Sequence, residues 1–467
     1  MLTMSGFLDS LKKRHPEDLL VIEEEINPAE FEATAILQHL ENAGKYPAVL
    51  FTRPLNLKGE VSKFPLVTNV LATRELNAFA MGLDYSQCKL PLVLEYAKRE
   101  AGRIPPEMIP REKAPVKEVV KVGDEADLRE FPMVKHHYMD PDPYIDMIPI
   151  HRDLETGAYN AAFIRNQYKG PRKLGLYMGP RQNWEIVRRH DVQNLPSPTV
   201  IVVTHHPAFS LGCLNVAPFE SDDYEVIGSL MGEPVRITPS ETWGEDMMVP
   251  ADADLVIEGN TLPNTREAEG PFGEFCGYFG PQRYSNLLEV TAITYRHNAV
   301  YQDTFVGHAE NWIMGAVPKE GSIYLKIKAV FPNVKGVHFA NSGCGRFNCY
   351  ISIDQMVEGQ GKQAALIAMG NMDVLKHIIV VDADVDPYNE EDVMWAVATR
   401  VRPDKDVDII KNLTGCNLDP SIAGDLLSSK MIIDATRPMG RPFEERLSIP
   451  SEAMDKVKPL LEKKGII

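Results

Sequence analysis

The sequence predicts a multidomain α+β protein in three parts, and three observations predict it. Strand and helix patterns alternate through the first hundred residues. A stretch from Arg103 to Lys117 then sets Pro105, Pro106, Pro110 and Pro115 among charges, the composition of a linker. Beyond it short strands with few helical periods continue to about residue 310, after which alternation resumes. The expected parts are an N-terminal α/β domain with the proline-rich linker at 1–117, a mostly β barrel or sandwich at 118–310, and a C-terminal α/β domain at 311–467.

Leu19 to Ile26 alternates as a strand does, and Asn27-Pro28 supplies an N-cap and a first-turn proline for a helix running toward Gly44. Ala48 to Phe51 and Leu66 to Leu71 are apolar runs between turn residues, the pattern of buried strands. In the middle block, strands are expected at 127–134, 159–168, 174–178, 199–204, 254–258 and 287–295, with helices at 183–190 and 222–231. Farther on, 321–330 and 361–369 read as helices, 336–339 and 349–353 as extended, and Ile378 to Val381 as a buried strand before a capped helix from Asn389 to Arg400. An amphipathic segment from Ser451 to Lys464 is suited to docking on a partner subunit.

At 467 residues the chain is long enough for several cores. Its formal charge of −17, with no long basic run, disfavours a nucleic-acid or anionic-membrane partner. No apolar segment approaches the roughly 18 residues that span a bilayer, and Met1 to Gly6 has no signal pattern, so a cytoplasmic location is expected. The six cysteines form no Cys-x-x-Cys pair and read as reduced thiols.

The richest chemistry lies at Glu267 to Tyr278, where Gly270, Gly273, Gly277 and Pro271 fix a loop carrying Glu269 and Glu274. Two held carboxylates near aromatic surface suit acid–base work, because burial raises one pKa while a cation keeps the other ionised. On spacing alone a decorated surface loop is the simpler expectation. Asn160 and Arg165 lie five apart, so on an unbroken strand they face opposite sides unless a kink reconciles them. Arg165 is the cation an acid pair needs. Asp382, Asp384 and Asp386 follow a strand, which invites a magnesium site, but a water-facing turn capping the Asn389 helix is the simpler expectation. The histidine pairs 136–137 and 205–206 point to opposite strand faces and are read as structural. No dinucleotide fingerprint, Walker loop or nucleophile elbow occurs.

Taken in chain order, Asn160-x-x-x-x-Arg165, Glu269-Gly-Pro-Phe-Gly-Glu274, Val380-Val381-Asp382, Trp395 to Arg400, Leu418 to Ser421, Ser429-Lys430 and Asp434 to Thr436 resemble the UbiD family of prenylated-FMN-dependent decarboxylases over nearly the whole chain. The resemblance implies a central split β-barrel of the flavin-reductase type and a C-terminal helix that helps to oligomerise. It implies a catalytic set of Arg165, Glu269 and Glu274, with Glu274 the proton donor, and cofactor contacts at Ile164, Arg165, Gln182, Asn183, Pro218 and Lys430. It also implies a divalent metal, usually Mn2+, with K+ nearby, and ligands at Asn160, Asn183 and Asp223. Asn183 stands where relatives carry histidine; it either offers an amide oxygen or is no ligand, and Arg181 is then free to meet the phosphate directly. The implied activity is reversible, non-oxidative decarboxylation of an aromatic, heteroaromatic or α,β-unsaturated acid, with a flavin prenyltransferase as cofactor supplier and a homodimer or homohexamer as assembly. An aromatic-ring carboxylase, as a subunit of a complex, and an inactive flavin-binding subunit stand as alternatives.

Overall fold

In the computed structural model, which describes residues 2–422 and 427–464, six antiparallel strands close into a barrel at the centre of the chain. They are Tyr144–Arg152, Ile164–Gly170, Lys173–Leu176, Ser197–Thr204, Leu255–Glu269 and Arg283–Tyr295, and pairing of Ser197–Thr204 with both Leu255–Glu269 and Tyr144–Arg152 closes the ring. Closure leaves no open edge, so every strand buries one face inward. Val200, Val202, Val256 and Leu288 are fully buried in the resulting core. Two bulges in the Leu255–Glu269/Arg283–Tyr295 pair, at Gly259 and after Thr261, bend the longest strands round the barrel.

Before the barrel, strands Leu19–Ile26, Ala48–Pro54 and Leu66–Thr68 form a small mixed sheet, and its fourth strand, Tyr301–Gln302, comes from after the barrel. After it, Val334–Phe339, Asn348–Ile353, His377–Asp382, Leu427–Ala435 and Val407–Thr414 make a five-stranded sheet with a parallel centre. The long helix Ala309–Val330 runs between the two units and carries Pro318 within it. Residues 103–117 are pinned rather than slack. Glu107–Met108 pairs with the strand Arg236–Ser240, Val116 is buried, and Lys117 Nζ meets Glu258 at 2.9 Å in the barrel wall.

Several expectations change at the level of single turns. Asn27 caps a 3-10 turn, Pro28–Glu30, after which Phe31 takes a left-handed conformation and the helix proper runs Glu32–Asn42. The strand expected at 127–134 is instead a 3-10 turn at Leu128–Glu130, because the Asp127 side chain caps the amide of Arg129. The barrel strand Tyr144–Arg152 was hidden by prolines at 143 and 149, and helices Met4–Arg14, Arg74–Ala80 and Leu90–Glu100 went unread. The expected strand at 159–168 is broken into Tyr159–Ala161 and Ile164–Gly170. Among the described residues no helix is long and apolar enough to cross a membrane.

Candidate active site

The break at Ala162-Phe163 decides the site. It lets Asn160 and Arg165, on what would otherwise be opposite faces, line one cavity of about 420 Å3 between the barrel and the 304–346 region. Ile164, Gln182, Asn183, Glu274, Phe275 and Arg346 also line it.

Arg165 is the hub. Its Nε and Nη2 each donate to Glu269 at 2.9 Å, the parallel two-bond fork that guanidinium and carboxylate form best. Nη1 donates to Glu274. The guanidinium is held between the ring of Tyr177, at 4.2 Å, and that of Phe272, at 5.0 Å, which fixes its plane. Burial works against the charge, but Glu274 and Glu269 outweigh it and hold the Arg165 pKa above its ordinary value.

The two acids are not equivalent. Glu269 is fully buried, and its Oε1 also accepts from the Tyr144 hydroxyl at 3.1 Å. Glu274 lines the cavity, and burial pushes its carboxyl up from the ordinary range while Arg165 pulls the other way. The loop between them is braced from several sides. Gly270 N donates to Gln167 Oε1 at 3.2 Å, Trp312 Nε1 donates to the Phe275 carbonyl at 2.7 Å, and Glu274 N donates to the Tyr278 carbonyl at 2.9 Å. Gly273 has no room for a side chain, since a Cβ would lie 2.4 Å from His137 Nδ1.

At the other end of the cavity Asn160 Nδ2 donates to Asn183 Oδ1 at 2.7 Å. Asp223 accepts the amide of Ala161 at 2.7 Å and Asn215 Nδ2 at 3.0 Å. This carboxylate is buried with no Lys or Arg pairing with it among the described residues, and burial pushes its pKa up to about 7. Two carboxamides and a carboxylate are the oxygen types a hard divalent cation takes, although Asp223 stands behind the cavity lining and the Asn183 oxygen already accepts from Asn160. Asn183 is already tied at both ends, its amide nitrogen reaching the Pro149 carbonyl at 3.3 Å.

Two of the expected cofactor contacts lie apart. Lys430 borders a neighbouring cleft that shares Arg181 with the main cavity, and its Nζ donates to the carbonyls of Met372 and Asp373. Pro218 is outside both clefts, although Gln182 Nε2 reaches the adjacent Ala217 carbonyl at 3.2 Å. The Asp382 cluster is a turn, as the simpler expectation has it, with Asp382 buried and Asp384 exposed to water. Arg400 meets Asp382 at 2.7 Å and Asp384 at 2.8 Å, Arg437 lies 3.3 Å from Asp382, and Lys89 meets Asp386 at 2.6 Å, so each acid has a cationic partner from elsewhere in the sequence. Tyr144 and Tyr177 contact Arg165 and its partner Glu269 from other parts of the chain, and no local sequence pattern links them to it.

Comparison with known proteins gives one consistent result. Family models described as the N-terminal, Rift-related and C-terminal domains of 3-octaprenyl-4-hydroxybenzoate carboxy-lyase match residues 11–88, 107–309 and 312–435. The chain is 30% identical to a phenolic acid decarboxylase of Sedimentibacter hydroxybenzoicus, covering 98% of this chain and 97% of that one. It is 28% identical to an anhydromevalonate phosphate decarboxylase of Methanothermobacter thermautotrophicus, covering 93% and 97%. Its structure superposes with a TM-score of 0.90, at 32% identity over 98% of this chain and 99% of the other, on the UbiD-class enzyme HmfF from Pelotomaculum thermopropionicum in complex with FMN. An evolved dimeric form of HmfF in complex with prFMN gives 0.87, again at 32% identity over 98% and 99%.

Proposed function

The chain belongs to the UbiD family and is a carboxy-lyase, and from that premise we propose that it reversibly decarboxylates an aromatic, heteroaromatic or α,β-unsaturated carboxylic acid with prenylated FMN, Glu274 being the proton donor. The observation that carries this is the inequality of the two glutamates on Arg165. Glu269 is gripped by two guanidinium bonds and the Tyr144 hydroxyl and serves as the fixed partner of Arg165. Glu274 shares one guanidinium nitrogen, faces the cavity and is pushed toward its protonated form by burial.

When bound, the modified flavin supplies the electron sink that makes loss of CO2 feasible. The chain's own residues orient and protonate. Arg165 holds Glu274 in reach of the carbon that loses CO2, Phe275 gives that carbon an apolar wall, and the Glu274 proton passes to it. Asn160 and Asp223, with Asn183 beside them, would hold Mn2+ or another divalent ion at the phosphate end, with K+ nearby; Ile164 and Gln182 would contact the cofactor, joined by Lys430 and Pro218 if the neighbouring cleft closes on it. With the chain divided near 117 and 310, this cavity falls between the second and third parts.

The test is Glu274→Gln in protein co-expressed with a flavin prenyltransferase. CO2 release and exchange of ring protons in deuterated buffer should fall by about 10² to 10⁴, with the flavin spectrum unchanged. Turnover near that of the parent protein would sink the assignment.

A further inference from the structure

The long helix Ala309–Val330 carries past the cavity wall an amine that has no part in the chemistry proposed above. Asn311 and Met314 of this helix line the cavity, and Lys319 follows on the face that Asn311 and Gly315 share, since positions four apart stack along a helix. The Lys319 side chain is half-buried and folds back along the helix, its Nζ donating to the Gly315 carbonyl at 2.6 Å. Among the described residues it forms no ion pair with a carboxylate, and the charged groups that act on it are the cations Arg346 and Arg181 and the single acid Asp373. Burial, and then the two arginines, push its pKa down to about 7 against the pull of Asp373.

The surroundings are short of negative charge. The Arg346 guanidinium lies against the same helix turn, where a Cβ on Gly315 would come 2.5 Å from its Nη2, and its Nη1 reaches the Asn311 and Cys344 carbonyls at 3.5 and 3.2 Å. Arg181 borders both clefts and meets Asp373 at 3.2 Å. Lys430 adds another cation, bonded only to the backbone carbonyls of Met372 and Asp373. Among the described residues Asp373 is the one carboxylate bonded to any of these four side chains. An amine is a nucleophile only in its neutral form, and burial beside other cations is what keeps it neutral close to pH 7. CO2 is an electrophile that neutral amines take up, and it is the product that a carboxy-lyase releases.

We propose that Lys319 is a site of reversible carbamylation by CO2, the carbamate being held by Arg346 and Arg181 at the seam between the two clefts. The neutral Nζ attacks the carbon of CO2, an N–C bond forms as one C=O π pair moves onto oxygen, and the nitrogen gives up a proton to water, leaving Lys–NH–COO−. No oxidant, reductant or further substrate enters. The side chain changes from cation to anion, which relieves the repulsion along the seam, and its planar carboxylate end takes a guanidinium through two parallel bonds. The seam thereby registers the enzyme's own product, filling as CO2 accumulates and emptying by the reverse reaction once it is flushed away. This inference takes from the decarboxylase reading only the release of CO2, and nothing from the role of Glu274.

The experiment uses holoprotein from co-expression with a flavin prenyltransferase, equilibrated with 13C-bicarbonate under 13CO2. Carbamate is read by its 13C resonance and, after trapping with triethyloxonium ion, by mass spectrometry of the peptide that carries the ethoxycarbonyl group. In the parent protein the trapped group should map to Lys319 and exceed that on exposed lysines about tenfold or more, because an ordinary lysine stays protonated up to about pH 10.4. At fixed dissolved CO2, occupancy should rise as pH is raised through about 7, where the amine loses its proton. Peptide mapping separates this label from any on the α-amino group. Lys319→Arg keeps the cation and cannot form a carbamate, so the label and its share of the resonance should vanish with the flavin spectrum and melting temperature retained. Arg346→Gln leaves the amine and removes a partner of the anion, and should lower occupancy several-fold. Labelling of Lys319 no stronger than that of exposed lysines, or a resonance unchanged in Lys319→Arg, would overturn the proposal. Carbamate on Lys319 in protein that releases CO2 from no acid would uphold this site and count against the decarboxylase reading. Turnover of an acid with Lys319 unlabelled would do the reverse.

Discussion

His136 shows how a buried side chain gains its charge from partners far away in sequence. Its Nε2 lies 2.8 Å from Asp303 and its Nδ1 3.1 Å from Asp146, on the barrel wall behind the cavity. Burial favours the neutral ring, but Asp303 and then Asp146 outweigh it and raise the pKa to about 9. A histidine raised from about 6.5 in the unfolded chain contributes stability that is fully present below pH 6.5 and is lost as pH rises through 9. His136→Gln should therefore cost about 3 kcal/mol at pH 6, and the gap to the parent should shrink above pH 9. Urea unfolding of both proteins at pH 6, 7.5 and 9.5 measures it, and a gap independent of pH would refute the charge assignment. The sequence pattern favours structural or surface roles for the histidine pairs; it could not show the aspartates, because nothing local links 136 to 303.

At the scale of the element, two glycines separate what serves the site from what serves the fold. Gly280 lies opposite Phe272 in the two-stranded turn under the acid loop, and a Cβ there would come 2.6 Å from Glu274 Oε1. Gly259 sits at a bulge of the barrel, where a Cβ would meet the Glu289 carbonyl oxygen at 2.3 Å. Gly280→Ala should displace a flexible carboxylate by a fraction of an ångström, so turnover should drop about tenfold or more while the melting temperature holds. Gly259→Ala meets backbone that cannot yield and should lower the melting temperature by several degrees, roughly 1 to 3 kcal/mol of strain. Parallel melting curves and CO2-release assays distinguish them; the reverse pattern would contradict this division. Strand existence was largely legible from apolar runs, but the break at Ala162-Phe163 was not, because a kink arises from pairing with two neighbours and leaves no period of its own.

At the scale of the molecule, one carboxylate ties the two ends of the chain together. Glu320, buried in the long helix, accepts from Arg74 at 2.8 Å, from His338 Nδ1 at 2.9 Å and from the amide of Phe339 at 2.9 Å. Although burial opposes it, Arg74 and His338 hold its pKa down to about 2. An acid depressed from about 4.5 gives stability that is present above that value and is lost as pH falls through 2. Glu320→Gln leaves Arg74 uncompensated and should cost about 3 kcal/mol or more at pH 7. Hydrogen exchange should rise together in residues 66–80 and 334–339; a rise confined to one of the two would show that the units are not coupled through this residue.

The sequence by itself determined the chemistry-bearing residue types, the α+β class and the family, because these are written in local composition, periodicity and short motifs. It also named Arg165, Glu269 and Glu274, but could not show their inequality. The geometric difference between them was decided by the tertiary structure, since the two-bond fork and the Tyr144 hydroxyl on Glu269, and the cavity beside Glu274, depend on groups that adjoin in space and not in sequence.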